Sequence, residues 1–340
     1  MINAGIVGAT GYAGEELLEV LLGHPYVRIR SLSALIDAPQ PISALFPRFS
    51  HKINLICKKP DVKEIGATCD LVFLALPHTV SMDFVPKLLE AGKRVIDLSA
   101  DYRFKNCRQY SKYYRVTHKD PQRLKMAVYG LPELYRQKIK KALLIANPGC
   151  YPTCAILALA PLVALNCVDT SRIVIDAKSG STGAGRKITQ DFMFSELADN
   201  FKAYKVGVHQ HAPEIDQELS KVAGRALEVL FVPHLLPLRR GILETIYIAM
   251  KSKSNLTTAR LLEAYNRFFK HEPFVRIKGE GEFPALKDVI GTNFCDIGIK
   301  VKGSTVIIIA AIDNLLKGAS GQAVQNMNIM YNFAESTSLL

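Results

Sequence analysis

The chain has 340 residues, of which 49% are hydrophobic and 22% are charged, and its formal net charge at pH 7 is +12. These values are typical of a globular protein of about two domains and argue against intrinsic disorder. No run approaches the roughly 20 apolar residues that span a bilayer. The N-terminus shows no signal-peptide pattern either, so we expect a cytoplasmic protein.

The seven cysteines are scattered, and none lies in a C-x-x-C motif or at zinc-binding spacing. We therefore expect reduced thiols, at most one cysteine with a chemical role, and no bound metal. The positive charge is not accompanied by an arginine-rich arm or an aromatic RNA-binding signature, so we expect no nucleic-acid partner. An anionic substrate and cofactor, or an acidic partner protein, would account for the charge equally well.

Strands and helices alternate through the first 99 residues. The pattern predicts strands at residues 2–7, 27–32, 70–77 and 94–99, a helix from residue 15, and another over residues 80–91. Pro86 lies inside the second helix and is expected to kink or shorten it. The alternation predicts an α/β fold with a Rossmann-type, doubly wound parallel sheet.

A glycine-rich turn, Gly8-Ala9-Thr10-Gly11-Tyr12-Ala13-Gly14, separates the first strand from the first helix. In a dinucleotide-binding loop, the first glycine permits the tight turn and the second lets the backbone approach the pyrophosphate. The third allows close packing of helix against strand, and the helix N-terminus supplies N–H groups to the anion. We predict a dinucleotide site here; the alternative is a structural turn in a fold without cofactor.

The end of the second strand selects the cofactor in such folds, because an acid binds a ribose 2′-OH and a basic residue binds a 2′-phosphate. Here the run is Ser31-Leu32-Ser33-Ala34-Leu35-Ile36-Asp37. It contains no arginine, and Asp37 lies late for an NAD-binding acid. The residues themselves do not choose between NAD and NADP.

Residues 101–135 predict loops and short helices, and residues 142–146 predict a strand. The turn Asn147-Pro148-Gly149-Cys150-Tyr151-Pro152-Thr153 follows, before a helix predicted over residues 154–165. Cys150 thus lies near a helix N-terminus, where the N–H groups and the helix dipole stabilise a thiolate. Cys150 is either a nucleophile or a buried, inert cysteine, and the turn alone supports both equally.

Strands dominate the second half of the chain, at residues 172–177, 227–232, 241–250, 296–300 and 305–310, with helices near 188–197 and 257–269. This mixture predicts an α+β domain built on a largely antiparallel sheet. Asp313 to Gly321 opens a C-terminal helical stretch that runs to Met330. Residues 334–340 are expected to form a loosely held tail.

His209 and His211 stand just before an acidic helical stretch, Glu214 to Leu219. The pair could ligate a metal, serve only in hydrogen bonds, or place an acid–base group near Cys150. We favour the acid–base role.

Arg103 and Arg240 lie beside predicted strand ends, and their guanidinium groups suit phosphate and carboxylate. The run Lys178 to Arg186 follows a strand and is rich in glycine and hydroxyl groups. It either contacts nicotinamide or substrate, or it is a flexible connection.

These features resemble the semialdehyde-producing dehydrogenases that reduce acyl phosphates, and the chain closely resembles the N-acetyl-γ-glutamyl-phosphate reductase family of arginine biosynthesis. The resemblance extends over essentially the whole chain. It is carried by residues 8–14, 129–134, 147–153, 176–186, 209–215, 233–237, 240–243 and 313–330.

The resemblance implies that Cys150 is the nucleophile and His209 its acid–base partner. With the motifs above, it places the cofactor on Gly8, Thr10, Gly11, Tyr12, Ala13, Gly14, Ser33, Pro77, Ser179, Gly180 and Asn314. It places the substrate on Arg103, Asn147, Ser181, His211, Glu214 and Arg240. It also implies NADP as cofactor, a homodimer or homotetramer, a dinucleotide-binding domain of residues 1–147 and 312–340, and a catalytic and oligomerisation domain of residues 148–311.

The predicted activity is NADPH-dependent reduction of N-acetyl-γ-glutamyl phosphate to its semialdehyde through a thioester on Cys150. Ala34-Leu35 replaces the serine–arginine pair of the family, which leaves NAD as an alternative cofactor. The alternative functions are reduction of an aminoadipyl or glutamyl phosphate on an acidic carrier protein, thiol acyl transfer without redox chemistry, and cofactor sensing without catalysis.

Overall fold

The computed structural model describes residues 1–186, 189–251 and 256–340. Contacts divide the chain into two compact units. The first unit is Met1–Pro148 together with Ala319–Leu340, and the second is Gly149–Gly318.

The strands of the described residues belong to two sheets, one in each unit. In chain order they are β1 (Ile2–Val7), β2 (Val27–Ser33), β3 (Gln40–Pro41), β4 (Ile56–Lys58), β5 (Leu71–Leu74), β6 (Arg94–Asp97), β7 (Val128–Tyr129), β8 (Leu144–Ala146), β9 (Val168–Ser179), β10 (Lys202–Ala203), β11 (Val229–Leu235), β12 (Ile242–Met250), β13 (Val275–Ile277), β14 (Cys295–Lys302) and β15 (Thr305–Ile312).

The helices of the same residues connect these strands and cover the sheets. In chain order they are α1 (Tyr12–Leu22), α2 (Ile42–Leu45), α3 (Val62–Thr68), α4 (Val85–Glu90), α5 (Cys107–Tyr114), α6 (Pro121–Met126), α7 (Pro132–Ile139), α8 (Cys150–Ala164), α9 (Phe194–Leu197), α10 (Ala212–Ala223), α11 (Thr258–Phe268) and α12 (Ser320–Met330).

The sheet of the first unit has the order β3-β4-β2-β1-β5-β6-β8-β7, and among its described strands only β3 and β4 pair antiparallel. Leu71 and Phe73 of β5 join the core with α1 and α12, whereas Val72 and Leu74 join a second core with α4. Both faces are therefore covered, as the continuous apolar run of this strand requires. The predicted Rossmann-type, doubly wound sheet is confirmed.

The sheet of the second unit has the order β10-β11-β9-β12-β15-β14-β13. Four of its pairings are antiparallel, and the β9–β11 and β13–β14 pairings are parallel. Residues alternate along β12, so Ile246 and Ile248 are buried while Tyr247 between them is 41% exposed. The predicted second, largely antiparallel sheet is confirmed.

Two helices predicted in the second unit differ from the structure. The helix after residue 150 begins at Cys150 itself, because Gly149 provides the extended N-cap backbone and Pro152 fits the first turn. Of the stretch near 188–197, Ile188 lies outside the described residues, and the rest forms a 3₁₀ turn, Gln190–Phe192, followed by α9.

The C-terminal tail is held to the first unit, contrary to the predicted loose tail. Glu335 pairs with Arg136 at 3.0 Å and accepts a hydrogen bond from Gln325. Asn328 donates to the carbonyl of Thr337, and the Ser338 hydroxyl donates to the carbonyl of Val20. These side-chain bonds compensate for the lack of secondary structure, which the composition of the tail does not reveal.

Candidate active site

Cys150 is half-buried and is the first residue of α8, a helix whose next 13 residues are all buried. Gly149 has extended backbone angles, and its carbonyl accepts hydrogen bonds from the amide and the hydroxyl of Thr153. The thiol therefore stands at the positive end of a four-turn helix, where a thiolate is stabilised.

Glu214 fixes the turn before this cysteine. Its side chain is 1% exposed and lies in the first turn of α10, and its Oε1 accepts a hydrogen bond from the Gly149 amide at 2.9 Å. The carboxylate thus serves the N-terminal ends of two helices, where a negative charge is favourable. Its predicted contact with substrate stays a prediction.

His209 is 6% exposed, and its Nδ1 lies 3.1 Å from the backbone amide of His211, which donates to it. An Nδ1 that accepts a hydrogen bond carries no proton, so the neutral ring holds its proton on Nε2. In this tautomer Nε2 carries the N–H that His209 can offer to a substrate oxygen.

Aromatic rings hold the imidazole of His209. Its centroid lies 5.6 Å from each of the Tyr151 and Tyr204 rings, at interplanar angles of 90° and 76°, and 5.4 Å from Phe231. The hydroxyl oxygens of Tyr151 and Tyr204 are 3.1 Å apart. Edge-to-face contacts of this kind favour one ring orientation. Because Tyr151 directly follows Cys150, the cluster links the cysteine and the histidine.

The two tyrosine hydroxyls remain protonated near Cys150. Burial raises the pKa of Tyr204 to about 12, with the charge of Cys150 adding to the effect and a hydrogen bond from Tyr151 opposing it. The pKa of Tyr151 is raised far above its usual value, chiefly by burial, next by the neighbouring Tyr204 and then by Cys150. Both hydroxyls thus stay neutral and can donate hydrogen bonds, as in the contact between them.

The turn after β15 approaches Cys150 from another direction. A Cβ on Gly318 would lie 2.8 Å from the Cβ of Cys150 and 2.6 Å from the carbonyl of Asn314, so only glycine fits there. Asn314 is 2% exposed; its Oδ1 accepts from the Gly241 amide at 2.7 Å and its Nδ2 donates to Thr182 at 3.0 Å.

Arg240 forms an ion pair with the fully buried Asp313, with Arg240 Nη2 2.9 Å from Asp313 Oδ2. Asp313 also accepts from the amides of Leu315 and Leu316 at the start of the turn. Arg240 is therefore held in a fixed orientation at the start of β12. Its predicted role toward the substrate carboxylate or phosphate stays a prediction.

The hydroxyl- and glycine-rich run after β9 packs onto the Arg239–Arg240 backbone. A Cβ on Gly180 would lie 2.7 Å from the Arg240 amide nitrogen. The Ser181 hydroxyl donates to the carbonyl of Leu238, and the hydroxyl of the buried Ser179 donates to the carbonyl of Gly180. Gly180 and Thr182 of this run thus lie against Arg240 and Asn314 respectively.

The predicted dinucleotide loop lies in the first unit, between β1 and α1. Gly8 has φ +93° and a Cβ there would lie 2.1 Å from the carbonyl of Ala75. A Cβ on Gly14 would lie 2.1 Å from the carbonyl of Gly8, so the close packing requires glycine at both positions. Gly11 is different: the nearest atom to its Cβ position is 3.5 Å away. Its missing side chain leaves room beside the N-terminus of α1, as a bound pyrophosphate requires.

The remaining loop residues surround this turn. Thr10 lies in the turn, Tyr12 and Ala13 open α1, and the Ala13 carbonyl accepts from the Ser320 hydroxyl. The carbonyl of Ser33 accepts from the amides of Gly8 and Ala9, which joins the end of β2 to the glycine loop. Next to it, Ala34 is buried while Leu35 is 87% exposed. The observed arrangement fits a dinucleotide.

Arg103 and Asn147 stiffen the first unit near the end of β8. Arg103 is 4% exposed and donates to the carbonyls of Asn147 and Leu98, both at 2.8 Å. Asn147 is fully buried; its Nδ2 donates to the carbonyl of Ala319 and its Oδ1 accepts from Asn326. Their predicted contacts with substrate stay predictions.

The part of the chain that the structure describes contains no cluster of three or more His, Cys, Asp or Glu residues suited to a metal ion. The same residues include no helix that is long and apolar enough to cross a membrane.

Comparison with known proteins identifies both halves of the chain. A family model described as the semialdehyde dehydrogenase NAD binding domain matches residues 3–142, and one described as the semialdehyde dehydrogenase dimerisation domain matches residues 150–314. The N-acetyl-gamma-glutamyl-phosphate reductase of Geobacter metallireducens is 48% identical, over 100% of this chain and 98% of that protein. That of Acetivibrio thermocellus is 47% identical over the same shares. The chain belongs to the N-acetyl-γ-glutamyl-phosphate reductase family.

Family membership confirms the resemblance predicted from the sequence, and residues 3–142 match a domain described as NAD binding. Solved structures agree in fold. Aspartate semialdehyde dehydrogenase II from Vibrio cholerae aligns with a TM-score of 0.72 over 98% of this chain and 99% of its own, at 18% identity. The aspartate semialdehyde dehydrogenase with NADP from Candida albicans aligns with a TM-score of 0.73 over 97% and 98%, at 15% identity.

Sequence reasoning missed several residues that position the candidate site. Asp313 orients Arg240, Thr182 binds Asn314, and Tyr204 completes the aromatic cluster around His209. Asp313 and Thr182 lay inside runs already singled out, so a search for partners of each arginine and amide would have found them. Tyr204 carried no signal of its own, because its partners are distant in sequence.

Proposed function

We propose that this chain reduces N-acetyl-γ-glutamyl phosphate to N-acetylglutamate semialdehyde and phosphate, with NADPH, in keeping with its membership of the N-acetyl-γ-glutamyl-phosphate reductase family. The observation that carries the proposal is Cys150 at the N-terminus of α8, joined through Tyr151 to the ring of His209. A helix N-terminus and a nearby acid–base group are what a cysteine nucleophile needs.

The Cys150 thiolate attacks the γ-acyl carbon, and the C–O bond to phosphate breaks to give a thioester and free phosphate. NADPH, when bound, supplies the hydride for the carbonyl carbon. The Nε2 proton of His209 is directed to the resulting oxyanion, in keeping with the hydrogen bond that its Nδ1 accepts. The hydroxyl so formed returns its proton to His209 as the C–S bond breaks, which releases the semialdehyde and regenerates the Cys150 thiolate. Cysteine suits this sequence because a thioester keeps a carbonyl that hydride can attack.

We propose that the glycine loop from Gly8 to Gly14, with Ser33 and Pro77, binds the dinucleotide, and that Ser179, Gly180 and Asn314 contact its nicotinamide part. Arg103, Asn147, Ser181, His211, Glu214 and Arg240 would bind the substrate and its phosphate. On this proposal residues 1–147 and 312–340 serve the cofactor, and residues 148–311 serve catalysis and assembly.

The reverse reaction tests the proposal. Purified protein is mixed with N-acetylglutamate semialdehyde, phosphate and NADP⁺ or NAD⁺, and absorbance is followed at 340 nm. Phosphate-dependent reduction of NADP⁺ that is lost in Cys150→Ala is the expected result. Cys107→Ala, at a half-buried position far from the turn in sequence, is the matched control and should retain the signal.

Other outcomes separate the alternatives. Signal with NAD⁺ alone would mean that Ala34-Leu35 has changed the cofactor. No signal with either cofactor, but signal with an aminoadipyl semialdehyde on an acidic carrier protein, would favour the carrier-bound substrate that the net charge of +12 also suits. Release of an acyl group without any change at 340 nm would support thiol acyl transfer.

The homo-oligomer implied by the matched dimerisation domain gives the sheet of the second unit a further role. Strand register aligns Leu230, Val174, Tyr247 and Ile307 across four neighbouring strands, on the side opposite the buried isoleucines of β12. Leu230 is 55% exposed and Tyr247 41% exposed in the isolated chain. We propose that a second copy of the chain covers this apolar row, giving a dimer or, through further contacts, a tetramer.

A further inference from the structure

Thr79 has an unusual backbone conformation for its residue type. Its φ is +75°, in the left-handed region where β-branched residues are genuine outliers. It lies in the loop Pro77–Val80, which follows β5 in the first unit. A strained residue persists only when its surroundings hold it in place.

Two hydrogen bonds join this loop to the segment after β6. The Thr79 amide donates to Asp101 Oδ1 at 2.7 Å, and the Ala100 amide donates to Nδ1 of His78 at 3.1 Å. Asp101 is fully buried, and Tyr110 donates a second hydrogen bond to the same Oδ1, also at 2.7 Å. Hydrogen bonds to a buried carboxylate are among the stronger ones in proteins.

Burial of Asp101 among these neighbours has an energetic cost. Asp97 is also fully buried. Its pKa is raised to about 7, first by burial and second by the nearby charge of Asp101. Within the residues that the structure describes, Oδ2 of Asp101 is buried without a hydrogen-bond partner. A core that needed only packing would be more stable without such an acid.

The loop that Asp101 holds adjoins the glycine loop. β5 is the neighbour of β1 in the sheet, and the strand order departs from β1 in both directions, toward β2 and toward β5. Dinucleotides bind at this switch point, beyond the carboxyl ends of the strands. The carbonyl of Ala75, just after β5, packs against Gly8. A displaced Pro77–Val80 loop would therefore change the wall of the dinucleotide site.

We propose that Asp101 is a positioning residue of the dinucleotide site, whose carboxylate holds Thr79 in the left-handed conformation and so fixes the Pro77–Val80 loop beside the glycine loop. The inference rests on the dinucleotide binding assigned to this unit and concerns a residue that none of the motif comparisons singles out. The inference has a specific consequence. Asp101 should matter for cofactor binding only while residue 79 carries a β-branched side chain that disfavours a positive φ.

The test is a double-mutant cycle on direct NADPH binding, measured by the fluorescence of the reduced nicotinamide. Asp101→Ala should weaken NADPH binding about tenfold. The free energy needed to hold Thr79 in its strained conformation corresponds to roughly one order of magnitude in affinity. Asp101→Asn, which keeps an acceptor oxygen, should recover most of the loss. In a Thr79→Gly background, Asp101→Ala should cost less than about threefold, because glycine adopts positive φ without strain.

Hydrogen exchange provides a second readout that does not depend on the cofactor. The Thr79 amide should exchange faster in Asp101→Ala than in the wild type. Tyr110→Phe removes the other hydrogen bond to Oδ1 and is the matched control, with NADPH binding and Thr79 exchange unchanged. If Asp101→Ala alone does not fold, the comparison of Thr79→Gly with the double variant still tests the inference.

Three results would overturn the inference. They are an unchanged affinity in Asp101→Ala, a tenfold loss that persists in the Thr79→Gly background, and an equal loss in Tyr110→Phe, which would mean that Asp101 acts through packing of the core. A wild-type protein that binds neither NADPH nor NADH would instead contradict the proposed function, and the inference with it.

Discussion

His209 shows how a backbone hydrogen bond can select a chemical role. The amide of His211 donates to Nδ1, which leaves the proton of the neutral ring on Nε2. The rings of Tyr151, Tyr204 and Phe231 prevent the imidazole from reorienting. We therefore expect His209 to protonate the oxyanion and the helix N-terminus, rather than His209, to maintain the Cys150 thiolate.

His209→Gln tests this division of roles, because glutamine offers an N–H but cannot transfer a proton. We expect kcat to fall by about 10² to 10⁴, while the rate of iodoacetamide labelling of Cys150, followed by mass spectrometry, changes by less than about threefold. His271→Gln, at an exposed position, is the control and should change neither quantity. A large loss of labelling in His209→Gln would instead identify the histidine as the base that deprotonates the thiol.

Leu35 lies two residues beyond β2 and is 87% exposed, in the pair Ala34-Leu35 that the resemblance sets against a serine–arginine pair. An arginine there would supply a partner for a 2′-phosphate. Leu35→Arg should raise the ratio of kcat/KM for NADPH over NADH about tenfold, and Leu35→Gln, without a charge, should raise it much less. An unchanged ratio would show that residue 35 does not face the ribose phosphate.

Among the elements, α8 and β12 bring an unexpected acid into the core of the second unit. Glu244 of β12 is fully buried, and within the described residues neither of its carboxyl oxygens has a hydrogen-bond partner. Burial raises the pKa of Glu244 well above its usual value, and the neighbouring Cys154 thiol and Lys178 oppose this only in part. The folded protein therefore holds Glu244 in its neutral form.

This state makes stability depend on pH in a defined direction. Because the pKa is raised in the folded state, the contribution of Glu244 is fully present below its unfolded pKa near 4.5 and is lost as pH rises toward the folded pKa. Glu244→Gln should therefore change Tm little at pH 4.5 and raise it at pH 8, as measured by differential scanning fluorimetry. Glu280→Gln, at an exposed position, is the control and should give equal Tm values to the wild type at both pH values; a lower Tm for Glu244→Gln at pH 8 would contradict the assignment.

At the scale of the whole molecule, two units with separate sheets carry different parts of the proposed chemistry. The glycine loop belongs to the first unit, and Cys150 with His209 belongs to the second. The apolar row across the second sheet, from Leu230 to Ile307, marks the surface that assembly would cover. On the proposed function, the first unit thus supplies the dinucleotide site, and the second supplies the reacting cysteine and histidine.

The oligomer can be tested at Tyr247, the centre of this row. Tyr247→Glu places a charge among apolar side chains, and burial of an unpaired charge is strongly unfavourable. We expect size-exclusion chromatography with light scattering to show a smaller species than the wild type. Tyr26→Glu, at an exposed site in the first unit, is the control; an oligomer that survives Tyr247→Glu would place the interface elsewhere.

The sequence by itself determined the features that depend on neighbouring residues. Strand–turn–helix patterning located the glycine loop and the Cys150 turn, because the period of apolar residues and the placement of Gly and Pro reflect local backbone geometry. Alternation of elements was enough to predict a doubly wound sheet followed by a largely antiparallel one. Specific runs were enough to indicate the family.

Tertiary structure decided which distant residues meet and what each then does. Glu214 caps the turn before Cys150, Asp313 orients Arg240, and Asp101 holds Thr79 at a positive φ. The ordered tail depends in the same way on Arg136, some 200 residues earlier in the chain. Nothing in the local pattern records these pairings, because their free energy comes from burial and hydrogen bonds between segments that only the fold brings into contact.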